Sequence, residues 1–227
     1  MASQDSAQKN ATGATGRLQV AIVPVTPFQQ NCTLIWDDET KEGIVIDPGG
    51  DVERIAEAIG KTGINVQQIV LTHGHIDHVG GAEELKSRLK TQIIGPHIAD
   101  KALCEGIEKQ AAMFGMPGGY RNAYPDRWLE EGDIVSFSGH EFEVFHCPGH
   151  APGHIVLFNK AARFAVVGDV LFNGSVGRTD LPGGDHATLI ASIREKLFEW
   201  GDDVSFLCGH GPGSTIGQER KSNPFLT

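Results

Sequence analysis

Cysteine is scarce in this sequence. Cys32, Cys104, Cys147 and Cys208 are the four present, and no two form a C-x-x-C pair. No apolar run is long enough to span a membrane. No apolar signal region opens the chain either, since residues 1–16 read MASQDSAQKNATGATG. Together these lacks predict reduced thiols, a cytoplasmic location and no membrane partner. Basic charge is also short: 19 Lys and Arg stand against 29 Asp and Glu, a net charge of −10 with His neutral. A nucleic-acid partner needs a basic surface to meet phosphate, so that class is excluded. Anionic small substrates are not excluded, because bound divalent cations would dominate the local field. Aromatics make up only 7% while Gly reaches 29 residues, which suits a turn-rich α/β fold more than a helical bundle. The 40% hydrophobic share of 227 residues can fill a core without disulfide staples. No Pro/Ser-rich or charged linker divides the chain. The expected organisation is a disordered tail over 1–16 and a single domain over 17–227.

Short β-rich runs open the domain at Leu18–Val25, Cys32–Trp36 and Gly43–Asp47. Asp51 reads as an N-cap for a helix to about Ile59, with Ile55 and Ile59 four apart. Gln68–Leu71 is a buried strand, and a helix is expected from Val79 to Leu89. Residues 104–124 read as a helix with Cys104, Ile107, Ala111 and Phe114 on one face, then a Gly/Pro-rich loop. Strands follow at Ile134–Phe137, Glu141–His146, His154–Asn159 and Phe164–Val167, a helix at Ala187–Trp200 and a last strand at Val204–Leu207. Strands then helix, twice over, predicts two sheets packed face to face with helices outside, an αββα sandwich.

The densest chemistry lies in Thr72-His73-Gly74-His75-Ile76-Asp77-His78. Three imidazoles and a carboxylate follow an apolar strand directly, where α/β proteins place ligand sites. His73 and His75 alternate, so an extended backbone points both to one side. Asp77 and His78 fall where the chain turns into a helix. Imidazole and carboxylate are ordinary ligands for zinc, iron or manganese. A polar loop with surface histidines is the bland alternative, and three further segments weigh against it. His150 in Cys147-Pro148-Gly149-His150, Asp169 in Val167-Gly168-Asp169 and His210 in Cys208-Gly209-His210 each follow a strand on a Gly-rich loop. Four strand ends presenting His or Asp is the distribution of a site built along one edge of a sandwich.

T-H-x-H-x-D-H followed by P-G-H, G-D and G-H resembles the metallo-β-lactamase superfamily. Segments NCTLIW, IDPGGD, LTHGHIDHVGG, HCPGHAPGH, GDVLF, VGRTD, GHGPGST and NPFL resemble its short bacterial glyoxalase-II-like hydrolases, the YcbL type. The likeness runs from about Leu18 to the C-terminus. It implies the αββα fold and two divalent metal ions, zinc first, with iron or manganese as alternatives. His73, His75 and His150 match the first metal's ligands, Asp77, His78 and His210 the second's, and Asp169 the bridging position.

Seven ligands on two metals leave open coordination positions, the mark of a catalytic site. Metal lowers the pKa of water to about 7, making hydroxide available to attack a carbonyl, with Asp77 orienting it. The resemblance points to thioester hydrolysis on hydroxyacyl-glutathione or a related small thioester, whose thiolate leaves without a protein acid. Human-type glyoxalase II carries a further C-terminal helical domain and tyrosines near the metals. The chain stops at Thr227, with no tyrosine after Asp169 or His210, so weak hold on glutathione is expected. Gly177-Arg178-Thr179-Asp180 also resembles the persulfide dioxygenases of the same superfamily, which place one iron on positions matching His73, His150 and Asp169. That is the alternative function.

Other residues receive lesser roles. Arg178 and Asp180 either pair together or face the substrate, and Arg178 is the candidate substrate cation. Asp47 is a support for a ligand imidazole or a turn former. His154 supports the site or the core; His97, His140 and His186 are surface or structural. Cys147 and Cys208 read as small buried groups. Part of the loop from Phe114 to Tyr124 is expected to border the metal cleft and contact the acyl or thiol portion of the substrate.

Overall fold

The computed structural model describes residues 16–116 and 118–227. The tail expected over 1–16 therefore lies, save Gly16, outside the described residues.

A five-stranded sheet forms first. Its strands are β1 (Leu18–Val25), β2 (Gln30–Asp37), β3 (Glu42–Ile46), β4 (Asn65–Val70) and β5 (Gln92–Ile94), side by side in that order. The β1–β2 and β2–β3 pairs are antiparallel, and β3–β4 and β4–β5 are parallel. Parallel neighbours need a crossover. Helix α1 (Val52–Thr62) supplies the first, and α2 (Ile76–Val79) with α3 (Ala82–Leu89) the second. Helices α4 (Lys101–Cys104) and α5 (Ile107–Met113) follow, and then the second sheet. It contains β6 (Ile134–Phe137), β7 (His140–His146), β8 (Ile155–Asn159), β9 (Phe164–Val166), β12 (Ser205–Leu207) and β13 (Ser214–Thr215), in the order β13-β12-β9-β8-β7-β6. A small β10 (Leu171–Phe172) and β11 (Ser175–Val176) ribbon, α6 (His186–Glu195) and α7 (Ile216–Ser222) complete the chain.

Side-chain alternation along the strands builds three apolar layers. On β2, Cys32, Leu34 and Trp36 face the helices α1 and α3, while Ile35 faces the second sheet. On β8, Ile155 and Leu157 meet the first sheet and Val156 and Phe158 turn outward to α6. The middle layer, with Ile44, Ile46, Val70, Phe142 and Val144, joins the two sheets. This is the αββα sandwich. Among the described residues no helix is long and apolar enough to cross a membrane.

Several boundaries move for physical reasons. The helix expected over Val79–Leu89 is two helices, because Gly80 and Gly81 break it. Gly81 N–H donates to Pro48 O at 2.9 Å instead of continuing a ladder, and any Cβ on Gly80 would meet the Tyr120 ring. The helix expected to open residues 104–124 begins only at Ile107, after α4 ends at Cys104, and gives way at Met113 to the expected loop. Ala187–Trp200 changes from α to 3-10 geometry after Glu195. Asp51 occupies the N-cap position of α1 but does not cap it with its side chain. Its φ of 48° turns the carboxylate away, and it accepts from Thr26 N–H at 2.8 Å instead.

Candidate metal centre

Four strand ends open on one edge of the sandwich. His73 and His75 follow β4, with Asp77 and His78 on α2. His150 follows β7, Asp169 follows β9, and His210 follows β12. The structure brings all seven together.

They form two clusters. In the first, His75 Nδ1 stands 2.9 Å from His150 Nε2, which stands 3.3 Å from His73 Nε2. In the second, Asp77 Oδ2 is 3.2 Å from His210 Nε2 and 3.9 Å from His78 Nε2. Asp169 lies between them. Its Oδ1 faces His78 Nε2 at 3.4 Å, and its Oδ2 faces His150 Nε2 at 3.6 Å and His210 Nε2 at 3.5 Å.

The donor set fits a pair of metal ions. Tetrahedral bonds of ~2.0–2.1 Å hold ligand atoms roughly 3.3 Å apart, close to the spacings seen. His78 Nε2 and Asp169 Oδ1 are buried and have no hydrogen-bond partner, which a cation would supply. Burial, then the neighbouring imidazoles, pushes His73 well below the usual histidine range, and burial with His150 takes His75 down to about 3. Both rings therefore present lone pairs at neutral pH. In the second cluster burial would raise Asp169, but His78, His150 and His210 outweigh it and hold the carboxyl well below its ordinary range. Burial likewise opposes protonation of His78, and Asp169, Asp77 and Asp47 overcome it.

A further set of groups holds these side chains in place. Asp47 Oδ2 is 2.8 Å from His78 Nδ1, and the same carboxylate accepts from Thr72 N–H at 2.7 Å and Thr72 Oγ1 at 2.5 Å. Its own carbonyl also closes a turn with Gly49 N–H, so both roles weighed for Asp47 are present. Asp47, His73 and His78 form a third convergent set, but its contacts are already spent on these hydrogen bonds. His154 is fully buried, stacks on the His73 ring at 4.6 Å and accepts from Asp169 N–H at 3.0 Å. His150 Nδ1 donates to Arg178 O at 2.8 Å. At Gly209 any Cβ would run into the Asp169 carboxylate, so only glycine lets this loop close on the site.

Sequence reasoning missed several supports. Buried Asp100 accepts from Gly74 N–H at 2.8 Å and Gly153 N–H at 2.5 Å, fastening two ligand loops together. Gln110 accepts from Ile76 N–H and donates to Gly74 O. Asn31 donates to Cys208 O and Gly211 O, holding the His210 loop. Only the N-C-T-L-I-W segment hinted at Asn31. Of the remaining histidines, His140 pairs with buried Asp37 at 3.0 Å, and His97 stacks on His146 at 4.1 Å, both away from the clusters. Cys147 and Cys208 are buried, and burial pushes both thiols up, that of Cys208 to about 11.

A cavity of about 560 Å³ opens above the clusters. Its lining includes His75, Asp77, His150, Asp169 and His210, with Phe28, Ile76, Phe114, Phe172, Val176, Leu181 and Arg178. Phe114 of the expected loop does border the cleft, whereas Met116 and Tyr120 pack against the first core. Arg178 both lines the cavity and pairs with Asp180, through two contacts of 2.7 Å.

Comparison with known proteins places the chain among related sequences. A model of the metallo-beta-lactamase superfamily matches residues 25–210. Hydroxyacylglutathione hydrolase GloC of Haemophilus influenzae is 49% identical over 211 residues, covering 92% of this chain and 98% of that protein. Probable metallo-hydrolase YqgX of Bacillus subtilis is 34% identical, covering 90% and 95%. Among solved structures, BLEG-1 B3 metallo-beta-lactamase superposes with a TM-score of 0.84 at 32% identity, covering 92% of this chain and all of that one. TTHA1623 in a di-iron-bound form gives 0.81 at 37% identity, covering 91% and 100%.

Proposed function

Because the chain belongs to the metallo-beta-lactamase superfamily and is a metal-dependent hydrolase, we propose that it is a glyoxalase-II-like thioesterase, acting on hydroxyacyl-glutathione or a related small thioester. The observation that carries this reading is the placement of Asp169 between two ligand clusters on the floor of an open cavity. The 49% identity to a protein named as a hydroxyacylglutathione hydrolase supports the substrate class.

In this reading His73, His75 and His150 would hold one metal and Asp77, His78 and His210 the other, with the Asp169 carboxylate available to both. Zinc suits imidazole and carboxylate donors, and iron and manganese are the alternatives. When bound, such ions acidify water and polarise a carbonyl. The protein's own groups do the rest. Asp77 lines the cavity, and its carboxylate orients the attacking water by accepting its hydrogen bond. Asp47 and the Arg178 carbonyl fix the rings of His78 and His150. The apolar walls exclude bulk water around the reacting carbonyl. The water oxygen bonds to the acyl carbon as one of its protons passes by way of Asp77 to solvent, the C–S bond breaks, the sulfur leaves as thiolate, and the new acid sheds the remaining proton to solvent. Thiolate is a good leaving group, so no protein acid is required. Arg178, on the cavity wall, is the candidate contact for a substrate carboxylate. Four buried free cysteines suit a cytoplasmic setting in which thiols stay reduced.

The test is purification without added metal, metal quantification, and assays of S-lactoylglutathione hydrolysis and of oxygen uptake on glutathione persulfide. Two metals per chain with thioester turnover support the reading. Oxygen uptake with one iron and no hydrolysis overturns it in favour of a dioxygenase.

A further inference from the structure

The cavity above the metal clusters has a chemical character of its own. Phe28, in the turn between β1 and β2, and Phe114, just past α5, stand at its rim with 45% and 49% of their surface exposed. Their rings meet edge to face, 6.3 Å apart at 78°. Deeper in, the Phe172 ring lies 6.3 Å from that of His210. Aromatic rings thus stand both at the mouth and beside the second cluster, and Ile76, Val176 and Leu181 add to the apolar lining. Large aromatics left in water at the mouth of a cleft mark a surface awaiting an apolar partner.

Polar recognition is weak by comparison. Gln110 lines the cavity but spends its amide on Ile76 N–H, Gly74 O and Leu103 O. Among the described lining residues the cation is Arg178. Asp180 engages its Nε and Nη2 side by side, each at 2.7 Å. A charged tripeptide arm, with two carboxylates to settle, would have to displace Asp180 or stay in solvent.

We propose that the cavity selects thioesters carrying an apolar arm, aliphatic or aryl, which packs along Phe28, Phe114 and Phe172. The inference rests on the thioesterase reading and narrows it. An apolar arm gains from leaving water against this lining and leaves no polar group unpaired. Such an arm belongs either to the acyl group or to the thiol, and both present the same surface to the lining.

The test uses the metal-loaded full chain and four substrates: S-acetyl-N-acetylcysteamine, S-hexanoyl-N-acetylcysteamine, S-benzyl thioacetate and S-lactoylglutathione. The expected result is a kcat/KM for the hexanoyl or the benzyl thioester about tenfold or more above that of the acetyl reference. Whichever is preferred identifies the acyl or the thiol arm. Phe28→Ala and Phe114→Ala should pull that ratio toward one, and Phe28→Leu should keep most of it. Asp180→Ala frees Arg178 and should shift preference toward the glutathione thioester. A flat series, a ratio unmoved in both alanine variants, or S-lactoylglutathione outrunning both apolar substrates overturns the proposal while leaving thioesterase activity standing. If no thioester is hydrolysed, the thioesterase reading fails instead. Calorimetric binding of hexanamide and acetamide analogues to the wild type and Phe114→Ala then decides the proposal: tighter hexanamide binding that Phe114→Ala abolishes supports it, and equal binding overturns it.

Discussion

Replacing Asp47 by Asn changes almost no volume and alters the chemistry of the second cluster. A carboxylate only accepts hydrogen bonds, so Asp47 holds one ring proton on His78 Nδ1, and Nε2, which faces Asp77 and Asp169, is the position that yields its proton to a metal. An amide cannot reproduce this. If its oxygen stays on Thr72 N–H, its NH2 faces His78 Nδ1 and forces the ring proton onto Nε2, the atom a metal needs. If the amide turns over, its NH2 opposes Thr72 N–H, donor against donor. The first arrangement blocks the metal-binding atom, and the second strands a buried polar group at a cost of about 1–3 kcal/mol. Supports of this kind typically change metal affinity by about 10–100-fold, or ~1.4–2.8 kcal/mol. The assay is a chelator competition with metal quantification. Asp47→Asn should retain about one metal per chain at chelator levels where the wild type keeps two. Melting of the metal-loaded variant should fall toward that of the apo protein, since bound metal stabilises by mass action. Metal affinity within twofold of wild type, with an unchanged melting curve, would refute the tautomer argument.

Asp169→Ala should lower bound metal and nearly abolish turnover; a variant that keeps two metals and near-normal activity would remove the bridging role. His154→Phe keeps the stack on His73 but strands the buried Asp169 N–H, so denaturant unfolding should show a loss of about 1–3 kcal/mol. Burial raises the Asp100 carboxyl to about 6, above its unfolded value, so the folded state binds the extra proton as pH falls through 6 toward 4. The burial cost is thus present above pH 6 and relieved below it. Between pH 7.5 and 5 the wild type should gain about 1.4 kcal/mol relative to Asp100→Asn, the part of the linkage realised over that window, and a pH-independent difference would contradict this.

The site was legible where its residues are dense. His73, His75, Asp77 and His78 sit within six residues after an apolar strand, so periodicity and side-chain chemistry point to the same place. Each later ligand has a Gly-rich strand end to mark it. Supports such as Asp100, Gln110 and Asn31 were not legible. They act through hydrogen bonds to backbone groups far away in sequence, and one polar side chain carries no trace of such a partner. The helix expected over Val79–Leu89 took no account of Gly80 and Gly81, whose close approaches to Pro48 O and the Tyr120 ring come from elements distant in sequence. Asp51 had the right residue type for a cap, but its backbone is left-handed and its carboxylate is engaged by Thr26 N–H across the fold.

The seven ligand-type side chains are divided between the two sheets. His73, His75, Asp77 and His78 extend from the first, and His150, Asp169 and His210 from the second. Each cluster draws on both, so neither half of the chain owns a complete set. A cation held here is therefore a rivet across the seam between the layers. A chain severed in the 114–124 loop would yield two fragments, four ligands on one and three on the other. Catalysis by the mixed fragments would then report their reassembly, and metal would be the agent that drives it.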